Sequence, residues 1–232
     1  HMPTPSVAPS TVSSMTASTV MPSQQKQPMP GMPQQHHPPA VAPKLSKYAE
    51  SPAAQAQQNR VLTECTRKVQ ENAYYMKQAM ENDDIPNVLH RASQMLGELG
   101  DGVSSSLTPK NYYELHMRAL DDMPNLEEYF YSLVVAASAD QPPKFPAKQL
   151  YDNVQYCPKV LPRLYLQICA GSVLIRSGAV TAQWVLQDLI EYVKSVQNPI
   201  RGLFLRHYLL QVTRDKLPDK ELVKDGYEFV LA

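Results

Sequence analysis

The feature that most restricts the fold is a helix-start signature that recurs along the chain, a polar capping residue followed closely by proline. Three such sites are Asp84-Ile85-Pro86, Thr108-Pro109 and Asn198-Pro199. The capping side chain accepts a hydrogen bond from a free N–H group of the first helical turn, where the missing N–H of proline does no harm. Apolar residues spaced by three or four follow each site, so the sequence predicts a succession of separate α-helices.

The apolar stripes extend from Gln55 onward, and no segment shows the alternation of a strand. Two long stripes come first: Val61, Leu62, Cys65, Val69, Ala73, Met76 and Met80, then Val88, Leu89, Ala92, Met95, Leu96 and Leu99. A third helix follows Thr108, and Pro124 either kinks it or divides it. Further helices are predicted over Leu126–Ala137, Ala147–Tyr156, Val160–Arg176, Thr181–Val196 and Ile200–Asp215.

Short connections between these seven or eight helices place neighbours antiparallel, which predicts an all-α row of helix pairs. Such a row either closes into a bundle or stays open as a solenoid with a face free for partners. The sequence has no strict internal period, so periodicity alone leaves both architectures open.

The first 54 residues differ sharply in composition from the rest. They hold eleven of the 21 prolines and many Ser, Thr and Gln residues, with Glu50 as the one acidic and Tyr48 as the one aromatic residue. Such a segment buries too little apolar surface to offset the ~1–2 kcal/mol per residue of backbone entropy lost on ordering. We therefore expect a disordered tail over 1–54, a helical-repeat domain over 55–217 and the start of a further, truncated element over 218–232. His1-Met2 resembles the scar of a cleaved expression tag.

Charge and cysteine content exclude several classes of protein. The chain has 22 basic and 22 acidic residues, without the basic excess that phosphate binding requires, so no nucleic-acid partner is expected. Cys65, Cys157 and Cys169 include no close pair, which suits a reducing compartment and predicts neither a disulfide framework nor structural zinc. No apolar stretch approaches the ~20 residues of a membrane span. We expect a cytoplasmic protein.

No catalytic motif is recognisable. The chain lacks a Walker loop, GxGxxG, HExxH, GxSxG and an EF-hand loop. Its adjacent carboxylates are predicted to be helix caps or solvated groups, and His90, His116 and His207 to be structural. The sequence thus predicts a protein that is not an enzyme and has no cofactor and no metal.

Two segments are unusually dense in large apolar, aromatic and arginine residues: 161–171 and 198–211. One interpretation is a pair of central helices buried on two sides. The other is an interface, because arginine and tyrosine are typical interface anchors. Periodicity leaves both interpretations standing.

Four segments resemble, in the same order, those of a known family. They are Ala92–Leu99, Pro109–Leu115, the PRLYL pentapeptide Pro162–Leu166, and Val196–Arg206, and the resemblance as a whole covers about residues 60–218. The family is that of the retromer scaffold subunit, vacuolar protein sorting-associated protein 35.

The resemblance implies a long α-solenoid of HEAT-like antiparallel helix pairs, matched here at its N-terminal portion. It also implies a non-catalytic scaffold of the retromer coat in endosomal retrograde protein transport. The partner implied for this portion is the arrestin-like subunit, vacuolar protein sorting-associated protein 26. The resemblance also implies a sorting nexin and a Rab GTPase as further partners. Contact with the membrane is expected only through partners, at the cytoplasmic face of endosomes.

The PRLYL-containing helix is the expected binding site for the arrestin-like subunit. Arg163, Leu166 and Gln167 share one face at i, i+3 and i+4, whereas Leu164 and Ile168 suit the solenoid core. The full set of expected partner-binding residues is Pro162, Arg163, Leu166, Gln167, Arg201 and Arg206.

Two alternatives stay open from the sequence. The chain could be a different helical-repeat subunit of a vesicle coat or adaptor, which binding to the arrestin-like subunit would distinguish. It could also be a helical enzyme or lipid-binding module, which would show a deep apolar cavity with converging polar groups.

Overall fold

A computed structural model describes residues 51–135 and 142–216. Most of the predicted tail, the predicted element over 218–232, and residues 136–141 and 217 lie outside the described residues. The described part consists of helices and loops and contains no strand, which confirms the all-α prediction. None of its helices is long and apolar enough to cross a bilayer.

The described residues form eight α-helices and two short 3-10 turns. The turns are Val103–Ser106 and Arg214–Lys216. The helices are α1 (Pro52–Glu81), α2 (Ile85–Gly97), α3 (Pro109–Leu120), α4 (Met123–Val134), α5 (Ala147–Gln155), α6 (Val160–Arg176), α7 (Ala182–Lys194) and α8 (Pro199–Thr213).

The cap-plus-proline signature starts helices as predicted. The side chains of Asp84, Thr108 and Asn198 accept hydrogen bonds from backbone N–H groups three residues on, at 3.2, 3.4 and 3.1 Å. Ser51 does the same for α1, with Pro52 in the first turn. Helix α1 therefore begins before Gln55, because Ser51-Pro52 carries a start signal that its proline-rich surroundings obscured.

Pro124 divides the helix in which it was expected to cause a kink or a break. Helix α3 ends at Leu120, and Pro124 occupies the first turn of α4, where no ladder hydrogen bond is lost. As a result, α4 begins at Met123, three residues earlier than predicted.

The helices pack as a solenoid of neighbouring pairs, with α6 at its centre. Helix α1 packs against α2 and α3, whereas α6 contacts α2, α4, α5, α7 and α8. Every residue from Leu161 to Leu174 except Arg163 is buried. Gly171 allows the close approach of α7, because a Cβ atom there would lie 2.9 Å from Cγ1 of Val185. The central helix is thus enclosed on nearly every side.

Candidate partner-binding surface

The structure does not divide α6 into a core face and a partner face. Leu164 and Ile168 are buried, as predicted, but Leu166 and Gln167 are also only 1% and 3% exposed, and Pro162 is buried. Successive side chains of α6 point in directions that differ by about 100°. Because five helices surround α6, a side chain in almost any of these directions packs against a neighbouring helix. The expected exposure of Pro162, Leu166 and Gln167 is corrected accordingly: they belong to the core.

Arg163 is the exception within the PRLYL segment. Its side chain is half-buried, and it forms neither an ion pair nor a side-chain hydrogen bond with any residue in 51–135 or 142–216. The apolar stem of an arginine often lies along a protein surface while its guanidinium stays available to solvent or to a partner. Arg163 is therefore the one member of the motif whose side chain is not enclosed in the core.

Two apolar residues near Arg163 in the chain are exposed, although no pattern in the sequence indicates this exposure. Val160 lies one turn before Leu164, in phase with the core stripe, yet the first turn of α6 leaves it exposed, and Tyr156 at the end of α5 is exposed as well. We call Tyr156, Lys159, Val160 and Arg163 the α6 edge. On α6, whether a side chain is exposed therefore depends on how close it lies to the start of the helix, and not on which face of the helix it occupies.

A surface groove of about 450 Å³ borders the α6 edge. Its walls are the segment Lys159–Pro162, the loop from Gly97 to Ser104, and Lys68 of α1. The groove holds both signs of charge, since its lining includes two lysines and two carboxylates: Lys68, Lys159, Glu98 and Asp101. Such a mixed polar rim beside exposed apolar residues is typical of protein–protein interfaces.

Arg201 shapes this groove from within the chain and is not available to a partner. Its guanidinium is buried, donates to the carbonyl oxygen of Gly100 at 2.8 Å and pairs with the carboxylate of Asp101. The hydroxyl of Tyr112 donates to the carbonyl oxygen of Leu99 at 3.0 Å, and burial raises the pKa of Tyr112 to about 12. The expectation that Arg201 contacts a partner is corrected: it clamps the loop that lines the groove.

Arg206 is exposed on α8. Its guanidinium lies close to its own helix, because a Cβ atom on Gly202 would meet Nη1 at 2.9 Å. It has no ion pair within the described residues. Its role in partner binding stays a prediction.

The titratable groups of the described residues are mostly dispersed along the helices. No three His, Cys, Asp or Glu side chains there are grouped to hold a metal ion. Most of the adjacent carboxylates cap helices or make ion pairs, as in Asp84 at α2, Asp83 with Lys144, Asp122 with Lys77, Glu127 with Lys216 and Glu128 with Arg176.

His116 is the one histidine of the three that is enclosed. Its ring lies 4.6 Å from that of Phe204 and 6.1 Å from that of Tyr165, between centroids. Burial, with a smaller contribution from His207, lowers the pKa of His116 to about 4. The imidazole is therefore neutral near pH 7.

Paired helices, an enclosed central helix and an exposed edge at its first turn define a helical-repeat protein of the α-solenoid class. A family model described as vacuolar protein sorting-associated protein 35 matches residues 61–231, and the chain belongs to this family. The prediction drawn from the four sequence segments is confirmed.

Several curated proteins are similar to this chain. Vacuolar protein sorting-associated proteins 35A and 35C of Arabidopsis thaliana are 40% and 42% identical over 169 and 171 residues, covering 69% and 70% of this chain. Vacuolar protein sorting-associated protein 35 of Dictyostelium discoideum is 37% identical over 191 residues, covering 79% of it. The matched region is 20%, 20% and 23% of the length of these relatives, so the chain spans about a fifth of each.

Proposed function

We propose that this chain is a non-catalytic scaffold segment of the retromer coat and that it binds the arrestin-like subunit, vacuolar protein sorting-associated protein 26, through the α6 edge. Membership of a family named for vacuolar protein sorting supports the role in protein transport. The observation that supports this site assignment is the contrast in burial between Arg163 and the other residues of PRLYL. Arg163 is its only charged residue and its only residue that is not buried.

The chemistry of Arg163 indicates what it recognises. A guanidinium presents a planar fork of N–H donors that matches a carboxylate, and Arg163 has no acceptor among the described residues of its own chain. Exposed Val160, three residues before Arg163 on α6, supplies apolar area beside it, which helps to exclude water from a central charged contact. The partner surface is expected to present an acidic group within an apolar rim.

The other residues of the expected site contribute indirectly. Pro162, Leu166 and Gln167 hold the α6 backbone in the core, and Arg201 fixes the loop at Gly100 that borders the α6 edge. Arg206, exposed on α8, is a separate candidate contact.

The cellular setting follows from the family. We propose that the chain acts in the cytoplasm, peripherally on endosomal membranes and through partners rather than by insertion. A sorting nexin and a Rab GTPase are the proposed recruiting partners.

The experiment is a calorimetric titration of this chain with the purified arrestin-like subunit. Arg163→Ala is expected to weaken binding at least about tenfold, because truncating a desolvated interfacial arginine typically costs about 2 kcal/mol or more. Its melting temperature should match that of the wild type. Arg60→Ala, which removes an exposed arginine of α1, is the charge-matched control and should bind normally.

Two outcomes count against the proposal. If the wild-type chain does not bind the arrestin-like subunit, the proposed function fails. If it binds and Arg163→Ala binds equally tightly, the site assignment alone fails.

A further inference from the structure

A second surface groove, separate from the α6 edge, lies between α3 and α8. Its volume is about 710 Å³, and neither Arg163 nor Arg206 lines it. The walls are mainly apolar and aromatic: Tyr113, Met117 and Leu120 of α3, Pro124 of α4, and Leu203 and Phe204 of α8. We call it the α3–α8 groove.

Three residues of this groove are large, apolar and exposed. Tyr113, Met117 and Leu203 are 51%, 45% and 62% exposed. Because they line the same groove, they form one contiguous apolar patch rather than scattered surface residues. Patches of this kind mark interaction sites more often than isolated apolar side chains do.

A polar group without a partner lies in the wall of the groove. His116 is 1% exposed, and neither of its ring nitrogens has a hydrogen-bond partner within the described residues. The half-buried ring of Phe204 stands against the imidazole, at 4.6 Å between centroids. Native structures rarely leave a buried polar group unpaired.

The two helices that form the groove run in the same direction. At their N-terminal ends, Arg201 of α8 interacts with Tyr112 of α3. Phe204 then packs against Tyr113 and His116, and His207 lies close enough to His116 to affect its charge. Both helix dipoles therefore place their positive ends near Tyr113 and their negative ends near Gln211.

The negative end of the groove also carries an uncompensated carboxylate. Asp121 follows the last residue of α3, lines the groove, is exposed and has no ion pair in residues 51–135 or 142–216. The groove is thus electrostatically polar, which favours an occupant of opposite polarity.

We propose that the α3–α8 groove binds an amphipathic α-helix of a partner protein, antiparallel to α3 and α8, with a lysine or arginine in its N-terminal half opposite Asp121. The antiparallel orientation puts the positive end of its dipole at Asp121. Along α3 the groove runs from Tyr113 to Leu120, about 10 Å at a rise of about 1.5 Å per residue, which fits about two helical turns with apolar residues at i, i+3 or i+4, and i+7. The described part of the chain has no strand edge to which an extended peptide could add.

The experiment selects a phage-displayed library of helix-forming 18-residue peptides on the wild-type chain and measures affinities of the selected peptides by calorimetry. The expected peptides have an apolar stripe and a basic residue in the N-terminal half. Leu203→Asp should weaken them at least tenfold. Asp121→Asn should weaken them about threefold and remove the preference for the basic residue. Trp184→Asp, at another exposed apolar position outside the groove, is the matched control and should have no effect.

Each remaining outcome overturns the proposal. Selected peptides that are insensitive to Leu203→Asp would place the binding elsewhere. A basic residue selected in the C-terminal half would contradict the orientation. Dimerisation that Leu203→Asp abolishes would assign the groove to a second copy, and peptides that match residues 217–232 would assign it to this chain's own segment. None of these results affects the titration with the arrestin-like subunit, which tests Arg163.

Discussion

Helices α1 and α6 are both long, but they are packed in opposite ways. Of the thirty residues of α1 only six are buried, and they form a single stripe that packs against α2 and α3. In α6, by contrast, burial is continuous from Leu161 to Leu174 apart from Arg163. Helix α1, at the margin of the solenoid, exposes whole faces to solvent, whereas the central helix α6 is exposed only at its ends and at Arg163.

The two helices also differ in where their polar groups lie. On α1, Arg67 pairs with Glu64 and Glu71 on the solvent-exposed face of the helix. Around α6, polar groups are enclosed: burial raises the pKa of Tyr165, Tyr208 and Cys169 above their usual ranges, and His116 is kept neutral. The margin should therefore tolerate substitution and changes of charge, and the centre should not.

The largest expected effect is at the core of α6. Leu164→Ala should lower the free energy of unfolding by about 2–5 kcal/mol, because it removes buried methyl groups and leaves a cavity among packed helices. Val160→Ala, one turn earlier on the same stripe but exposed, should cost no more than about 0.5 kcal/mol. Equal losses in urea unfolding of the two variants would contradict the distinction between the edge and the core.

The next effect is a pH dependence that arises beside α6. The pKa of His116 is about 4 in the folded chain against 6.5 for a free side chain, so the unfolded state binds more protons between these values. The free energy of unfolding is therefore highest, as far as His116 is concerned, above pH 6.5. It decreases as the pH falls toward 4, by roughly 3 kcal/mol in total.

Urea unfolding between pH 4 and 7 measures this dependence, and His116→Leu tests its origin. The variant should lose most of the slope in this range, whereas His207→Gln, which changes an exposed histidine, should retain it. A slope that survives His116→Leu would assign the acid sensitivity to other groups.

The smallest expected effect is on α1. Arg67→Ala removes two ion pairs, but all three side chains are well exposed, and exposed pairs contribute little. The melting temperature should not change measurably, at low or at high salt. A clear drop, especially at low salt, would show that α1 is more dependent on its charges than its burial pattern indicates.

The fold could largely be predicted from sequence because its signals are local. A capping residue and a proline close behind it mark a helix start inside a window of four residues. The apolar stripe of α1 follows from the spacing of its apolar residues alone. The start of α6 at Val160 and its end at Arg176 are as predicted. The start of α1 is obscured in the sequence because the proline-rich composition around Ser51-Pro52 masks the local capping signal.

The site was harder to predict because its determinants are distant in sequence. Arg201 clamps Gly100 and Asp101 across about 100 residues, and nothing near Arg201 indicates that it is enclosed. Leu166 and Gln167 have the spacing of an exposed face, but packing on all sides of α6 overrides it. The α3–α8 groove likewise depends on a helix contact that no local pattern encodes.

Hydrogen exchange of the free and the bound chain tests most directly the claim that α6 is core with a binding edge. On addition of the arrestin-like subunit, exchange should slow in a peptide that covers residues 156–163. Residues 166–174 should already be protected in the free chain and should not change, because they are enclosed by the solenoid. Saturated binding without protection at 156–163 would contradict the account.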